Sequence, residues 1–172
     1  MSKFIGYFLE RWLGWALFSS ALMLAIAHAF ETFGGYAPCT LCLQQRTVYW
    51  SAGGIGLAGL LLTSRGGLQR LGWAFNLALA LTFAVGMGIA IYHSGAEWKW
   101  WPGPTTCASS GGKVDLSALA AIAEGTAKIR PPSCDEAAWR LFGISMAGYN
   151  VLISLKLTVL SLMAATRRRP VS

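Results

Sequence analysis

Four cysteines are the residues of this sequence that are best suited to chemistry: Cys39, Cys42, Cys107 and Cys134. Cys39 and Cys42 form a C-x-x-C motif that follows Pro38 and opens an apolar block. A helix N-terminus favours a thiolate, and the thiolate is the nucleophile in thiol–disulfide exchange. The motif therefore predicts a redox-active pair, with a static bridge as the alternative.

Cys107 and Cys134 lie further along the chain, within one polar segment. Taken alone, this pair has the spacing of a staple that closes a loop. Because four cysteines allow more than one pairing, exchange between the pairs would instead make the protein a conduit for electrons. A zinc site is a further alternative, but a second C-x-x-C is missing and an oxidising compartment disfavours free thiolates.

The elements that must position these cysteines are four apolar blocks, each close to the roughly 20 residues that a membrane-spanning helix needs. They cover about residues 12–30, 43–62, 71–92 and 141–165. With 55% hydrophobic and only 12% charged residues, the composition is also unlike that of a soluble domain. We therefore predict an all-α membrane protein, a four-transmembrane-helix bundle in which residues 1–172 form a single integral membrane domain.

Glycine is frequent within the apolar blocks, although it would weaken a helix in water. In a bilayer, small residues allow helices to approach one another closely. The Gly-Met-Gly sequence at residues 86–88 and the glycine cluster at residues 53–59 are therefore predicted to form contact faces between helices.

Arginines and lysines sit at the ends of the blocks on one side of the predicted bundle, at Lys3, Arg11, Arg65, Arg70, Arg167, Arg168 and Arg169. The positive-inside rule makes that side cytoplasmic, so both termini are expected there. The loops at about residues 31–42 and 93–140 are then periplasmic, and all four cysteines lie on this outer face, where disulfides persist. The net charge of +7 therefore comes from basic residues at the ends of the blocks and not from one basic patch interleaved with aromatic residues, so we predict no binding to nucleic acid.

Two segments allow alternative interpretations. The first block, ending in Ala27-His28-Ala29, resembles a cleavable signal, but its length favours a retained span. In the second loop, Val114–Ala123 is apolar and too short to span. We expect either a small packed loop helix or a short helix on the membrane surface.

The sequence CTLCLQQR at residues 39–46 resembles the signature of the DsbB family of bacterial disulfide bond formation proteins. The proline-flanked PGPTTC at residues 102–107 and the CDE at residues 134–136 are similar to the surroundings of the third and fourth cysteines of that family. Trp139 and the Phe142-Gly143 pair, read as the opening of the fourth span, agree with it too. The resemblance covers nearly the whole chain.

The resemblance implies a quinone-dependent thiol oxidoreductase of the bacterial inner membrane. It would reoxidise a periplasmic, thioredoxin-fold DsbA-like partner and pass the electrons to ubiquinone or menaquinone, with no metal involved. By position, the partner would attack Cys107 in a Cys107–Cys134 disulfide. Cys134 would then attack Cys39, and Cys42 would be released as a thiolate that faces the quinone.

Arg46 and His93 are the predicted cofactor-binding residues. Arg46 follows Cys42 by one helical turn, so its charge can stabilise the Cys42 thiolate and a quinone oxygen. The alternative is an arginine that extends to the membrane interface. By family position, His93 resembles a quinone-site histidine, with an interfacial histidine that has no task as the alternative.

Four other polar residues are assigned no role. His28 and Glu31 lie near the outer face, and Lys156 lies inside the fourth block. Some members of the family carry an acidic residue where this chain has Gln45, which argues against carboxylate-assisted proton handling at that position.

Two other functions remain open. Membrane proteins similar to vitamin K epoxide reductase also combine C-x-x-C with loop cysteines, but there the active motif lies late in the chain. A non-catalytic membrane protein with two structural disulfides would tolerate replacement of Cys39 and Cys42.

Overall fold

The computed structural model describes residues 3–64, 69–104 and 134–167. Its helices are α1 (Lys3–Glu10), α2 (Trp12–Thr32), α3 (Thr40–Ser64), α4 (Gly72–Glu97) and α5 (Met146–Thr166), and a short 3₁₀ turn, Gln69–Leu71, precedes α4. Two short antiparallel strands, β1 (Arg140–Leu141) and β2 (Ile144–Ser145), form a hairpin directly before α5. The protein is therefore mostly helical, as predicted.

Three helices of the described chain, α2, α4 and α5, are long and apolar enough to cross a membrane. Large apolar side chains such as Phe18, Leu81 and Leu152 are exposed on their outer surfaces, which suits contact with lipid. Helix α3 has 25 residues, which is also a spanning length, but Gln45 and Arg46 near its start make it less apolar. The prediction of membrane-spanning helices is confirmed for three of the four blocks.

Helix α4 packs against both α3 and α5, and α2 packs along α3. The core between them contains fully buried Trp12, Leu79 and Phe83, with Tyr49 beside Phe83. The indole N–H of Trp12 donates to Ser161 Oγ at 2.8 Å, because a buried Trp donor needs a partner inside the bundle. These contacts hold α2, α3, α4 and α5 in one packed unit.

Glycines allow close approach at three of the predicted positions. A Cβ at Gly86 would lie 2.8 Å from Val48 Cγ1, so α3 and α4 meet there. Gly56 and Gly59 lie similarly close to α2. A Cβ at Gly88, by contrast, would meet none of the described atoms within 4 Å, so the Gly-Met-Gly sequence contributes only its first glycine to a helix contact.

The predicted start of the fourth span is wrong. Residues 140–145 form the β hairpin instead of the first helical turns, and α5 begins at Met146. Phe142 and Gly143 form its tip with φ of 50° and 81°. These positive values do not occur in a right-handed helix, so no regular helix runs through these two residues. Ser145 then caps α5, because its Oγ accepts the Gly148 N–H at 3.1 Å.

The second and third spans are longer than predicted on the side that carries the cysteines. Helix α3 begins at Thr40 instead of residue 43, so Cys42 lies in its first turn. Helix α4 continues beyond residue 92 to Glu97, which places His93 inside a regular helix. Lys156 is exposed on the outer surface of α5. Cys107 and the predicted loop helix at residues 114–123 lie outside the described residues.

Candidate functional site

The C-x-x-C motif forms the N-terminus of α3, and Cys39 caps it. The carbonyl of Cys39 accepts the Leu43 N–H at 3.1 Å, and its sulfur accepts the Cys42 N–H at 3.4 Å. This is N-cap geometry, with sulfur in place of the usual side-chain oxygen. The helix starts here because Pro38 disfavours helical conformation in the residue before it.

Cys39 and Cys42 are free thiols whose sulfurs are 3.1 Å apart. The hydrogen bond with Cys42 lowers the pKa of the Cys39 thiol to about 4; burial opposes this shift, and the hydrogen bond with His93 reinforces it. Cys39 is therefore the acidic thiol of the reduced pair, with the Cys42 N–H and His93 Nε2 directed at its sulfur.

His93 reaches this thiolate from α4. Its Nε2 lies 3.7 Å from Cys39 Sγ, and its Nδ1 lies 3.0 Å from the side-chain nitrogen of Gln45. The imidazole is buried between α3 and α4, so it is not an interfacial histidine exposed to water. The structure therefore brings the predicted His93 together with the C-x-x-C pair, and with Cys39 in particular.

Arg46 points from α3 toward the C-terminal end of α2. Its Nη1 lies 2.5 Å from Glu31 Oε2, and its Nη2 donates to the carbonyl of Ala27 at 3.1 Å. Only 14% of the Arg46 side chain is exposed, so it joins two helices instead of extending into water. It interacts electrostatically with Cys42, although it makes no hydrogen bond to that sulfur. Glu31, to which the sequence analysis gave no role, is thus the ionic partner of Arg46.

Cys134 is fully buried and takes part in a disulfide bond. It packs in one buried cluster with Cys39 and Leu41, at the base of the C-x-x-C turn. An exposed ion pair, Lys99 to Asp135 at 2.8 Å, joins the residue after Cys134 to the segment that follows α4. Cys107 lies outside the described residues, so its pairing with Cys134 stays a prediction.

Glu97 is a site residue that the sequence analysis missed. It lies one turn after His93 on α4, with its Oε1 3.7 Å from His93 Nε2, and its Oε2 has no hydrogen-bond partner among the described residues. Its side chain is 4% exposed, which is rare for a carboxylate. The signal was present in the sequence, because residues separated by one turn share a helix face. The predicted third span ends at residue 92, so the sequence analysis left Glu97 in the second loop.

Three side chains could together ligate a metal: Cys39, Cys42 and His93, whose ligand atoms all lie within 4.8 Å of one another. Two thiolates and an imidazole suit zinc chemically, but a closed structural site needs a fourth ligand. The alternative in which all four cysteines bind zinc is wrong, because the sulfur of Cys134 is engaged in a disulfide.

Comparison with known proteins points to one family. Residues 10–164 match the family model described as Disulfide bond formation protein DsbB. A disulfide bond formation protein B of Pasteurella multocida is 32% identical over 147 residues, which cover 84% of this chain and 79% of the relative. Similar proteins of Marinobacter nauticus and Dechloromonas aromatica are 29% and 27% identical, over 92% and 85% of this chain and 94% and 86% of their own lengths. No solved structure matches the chain significantly.

Proposed function

This chain belongs to the DsbB family of disulfide bond formation proteins, and from that premise we propose that it oxidises a reduced thioredoxin-fold, DsbA-like protein and passes the electrons to a membrane quinone. The protein is then a thiol:quinone oxidoreductase of the bacterial inner membrane. Its disulfide-generating cysteines face the periplasm, where disulfides persist.

The proposed topology has four spans, α2, α3, α4 and α5, with both termini in the cytoplasm. The distribution of lysine and arginine supports this orientation, because Arg11, Arg70 and Arg167 all lie at the ends of helices opposite to the cysteines. Helix α3 packs between α2 and α4, which shields the polar residues at its start from lipid.

Oxidation of the partner begins at the loop cysteines. A thiolate of the reduced partner attacks Cys107, a sulfur–sulfur bond forms between the two proteins, and the Cys107–Cys134 bond breaks. Cys134 leaves as a thiolate, and the second thiol of the partner later resolves the mixed disulfide. The partner has then lost two electrons and two protons, and Cys107 and Cys134 have accepted them.

The transfer from Cys134 to Cys39 is the step with the most direct support. Cys134 and Cys39 belong to the same buried cluster, together with Leu41, and Cys42 packs against it. A Cys134 thiolate that attacks Cys39 in a Cys39–Cys42 disulfide forms a new bond and expels Cys42 as a thiolate. This proximity of Cys134 and Cys39 is the observation that carries the proposal.

Cys42 is the sulfur expelled in this step, and it carries the negative charge once Cys39 is bonded to Cys134. Cys107 then attacks Cys134, which re-forms the Cys107–Cys134 bond and releases Cys39 as a thiolate. Cys39 and Cys42 re-form their disulfide as two electrons and two protons leave the pair. A bound quinone supplies an acceptor for two electrons and two protons. Arg46 lies beside Cys42 and has N–H groups beyond the two used on α2, so it fits an anionic oxygen.

The surroundings of Cys42 also fit an apolar ring. Cys42 is partly exposed, the neighbouring Leu43 is exposed on the outer surface of α3, and Ile89 packs against the cysteine cluster. His93 fits the predicted quinone contact less well, because its nitrogens face Gln45, Cys39 and Glu97. In this proposal His93 serves the sulfur chemistry.

The test is quinone reduction by the purified protein in lipid nanodiscs, with a short-chain quinone and a reduced DsbA-like protein. The expected result is a quinone absorbance decrease that matches the thiols consumed, and its abolition by Cys42→Ser. Thr47→Ala, an exposed change further along α3, is the control that should turn over normally. Turnover that survives Cys42→Ser would refute the mechanism. Normal cellular disulfide formation with both Cys39 and Cys42 replaced would instead favour a protein with structural disulfides.

A further inference from the structure

A chain of buried hydrogen bonds connects His93 to the centre of the bundle. Tyr49 Oη donates to Asn150 Oδ1 at 2.5 Å, and Asn150 Nδ2 donates to Gln45 Oε1 at 2.6 Å. Gln45 Nε2 in turn lies 3.0 Å from His93 Nδ1. Three helices supply these side chains: α3 gives Tyr49 and Gln45, α4 gives His93, and α5 gives Asn150.

The chemistry of Tyr49 determines which group donates and which accepts at each hydrogen bond of this chain. A phenol is a good donor and a weak acceptor, and the Ser154 hydroxyl also points at the same atom of Asn150, at 3.3 Å. In the structure both hydroxyls donate to this atom, which is the carbonyl oxygen of Asn150. The other end of Asn150 is then its N–H₂, which requires the oxygen of Gln45 to face it and leaves the Gln45 nitrogen to face His93.

The direction determines where His93 carries its proton. An amide nitrogen can only donate, so Nδ1 of His93 must accept and cannot itself be protonated. In a neutral imidazole the proton then lies on Nε2. Nε2 is the atom 3.7 Å from Cys39 Sγ and 3.7 Å from Glu97 Oε1.

We propose that Gln45, Asn150 and Tyr49 are positioning residues that hold His93 as the Nε2–H tautomer and aim that N–H at the Cys39 sulfur. Each time Cys39 becomes a thiolate, a donor is already in place, and no imidazole rotation or proton shift is required. This catalytic use rests on the proposed function, whereas the tautomer itself does not.

The groups that face His93 are compatible with a neutral ring. Helix α3 contributes Cys39 and Gln45, and α4 contributes Glu97, which also contacts Ser145 and faces Arg140 at the start of the hairpin. A doubly protonated ring would set an N–H of Nδ1 against the N–H₂ of Gln45, which is repulsive. The hydrogen-bond chain therefore leaves Nε2 as the protonated nitrogen of the ring.

The experiment is nitrogen NMR of the full-length protein in nanodiscs, with ¹⁵N in the histidine rings and the C-x-x-C pair reduced. The chain has two histidines, so His28→Gln leaves His93 as the sole signal. The expected spectrum at neutral pH shows a protonated Nε2 and an unprotonated Nδ1. A protonated Nδ1, alone or together with Nε2, would overturn the proposal.

Asn150→Leu tests the chain at a distance from the imidazole. It removes the donor to Gln45 without altering any atom that contacts His93, so signals of the Nδ1–H tautomer should appear. Asn76→Leu is the matched control, because Asn76 is also buried in a span but its Oδ1 has no hydrogen-bond partner in the part of the chain that the structure describes. An unchanged ring in Asn150→Leu would refute the role of Asn150. If this variant does not fold, Tyr49→Phe, which leaves only Ser154 to orient Asn150, should give the same change more weakly.

Two results separate this inference from the proposed function. If the ring is protonated on Nε2 but the protein does not reduce quinone, the inference about the tautomer stands and the proposed function is refuted. If the ring is protonated on Nδ1 and turnover is normal, the proposed function stands and the inference is refuted.

Discussion

His93 Nε2 lies 3.7 Å from Cys39 Sγ, although the two residues come from different helices and are 54 positions apart. Only the packing of α4 against α3 creates this contact, and with the sulfur of Cys42 it makes Cys39 the acidic thiol of the pair. The relationship defines the reduced site as one thiolate surrounded by donors.

The first prediction concerns the titration of Cys39. Its pKa is lowered to about 4, so the reduced protein should hold a thiolate at neutral pH and lose it as the pH falls through about 4. The measurement is the ultraviolet absorbance of the thiolate against pH, relative to Cys39→Ser. Cys42→Ala should raise the midpoint most, because the hydrogen bond with Cys42 is the largest cause, and His93→Ala should raise it less. A midpoint near the ordinary 9.0 in the unmodified protein would contradict the assigned geometry.

The second prediction concerns the ion pair between Arg46 and Glu31. Arg46→Ala should chiefly raise the apparent KM for quinone, because it removes the cation beside Cys42. Glu31→Gln should have a smaller effect in the same direction, since Arg46 keeps its bond to the carbonyl of Ala27 but loses its charged partner. Steady-state kinetics at varied quinone concentration measure both. Arg11→Ala, an exposed change at the other end of α2, should leave KM unchanged.

The third prediction compares two glycines of α4. Gly86→Ala should destabilise the bundle by about 1–3 kcal/mol, because its Cβ would lie 2.8 Å from Val48 Cγ1. Gly88→Ala, two residues away with nothing within 4 Å, should be neutral or slightly stabilising, since Ala favours helix. The midpoint of thermal unfolding in detergent gives the comparison, and equal effects of the two changes would contradict the described packing of α3 on α4.

The fourth prediction concerns the hairpin before α5. Gly143 has φ of 81°, a conformation that L residues adopt at a cost of about 1–2 kcal/mol. Gly143→Ala should therefore lower the unfolding midpoint. Gly143→Asn, which tolerates this conformation better, should recover part of the loss. If these residues formed the first turn of a helix, as the sequence suggested, alanine would instead be stabilising.

The local parts of the site could be predicted from the sequence. The C-x-x-C motif after Pro38 indicated a helix N-terminus with two thiols, and the spacing of Cys42 and Arg46 indicated a shared face. Both depend on residues within a turn or two of each other. For such residues, helix geometry alone determines which side chains lie close together. The apolar blocks likewise located the membrane helices, because length and composition suffice for that.

The contacts between helices could not be predicted in the same way. Gln45 and Asn150 are 105 residues apart, and the partner of Arg46 is Glu31 on α2. Such pairs depend on how the helices rotate about their axes, which apolar periodicity does not specify when most faces of a span are apolar. The start of α5 was missed for a different reason, because Leu141 and Phe142 extend the apolar run although the backbone there turns in a hairpin.

Because Asn150 belongs to the last helix, assembly of the site depends on the order of synthesis. The C-x-x-C pair and His93 enter the membrane first, since chains are made from the N-terminus. Until α5 has inserted, Gln45 has no Asn150 to orient it, and the amide that faces Nδ1 of His93 is free to turn over. On the inference above, a nascent chain therefore holds its two thiols before their imidazole is positioned, and the site is complete only when α5 has joined the bundle.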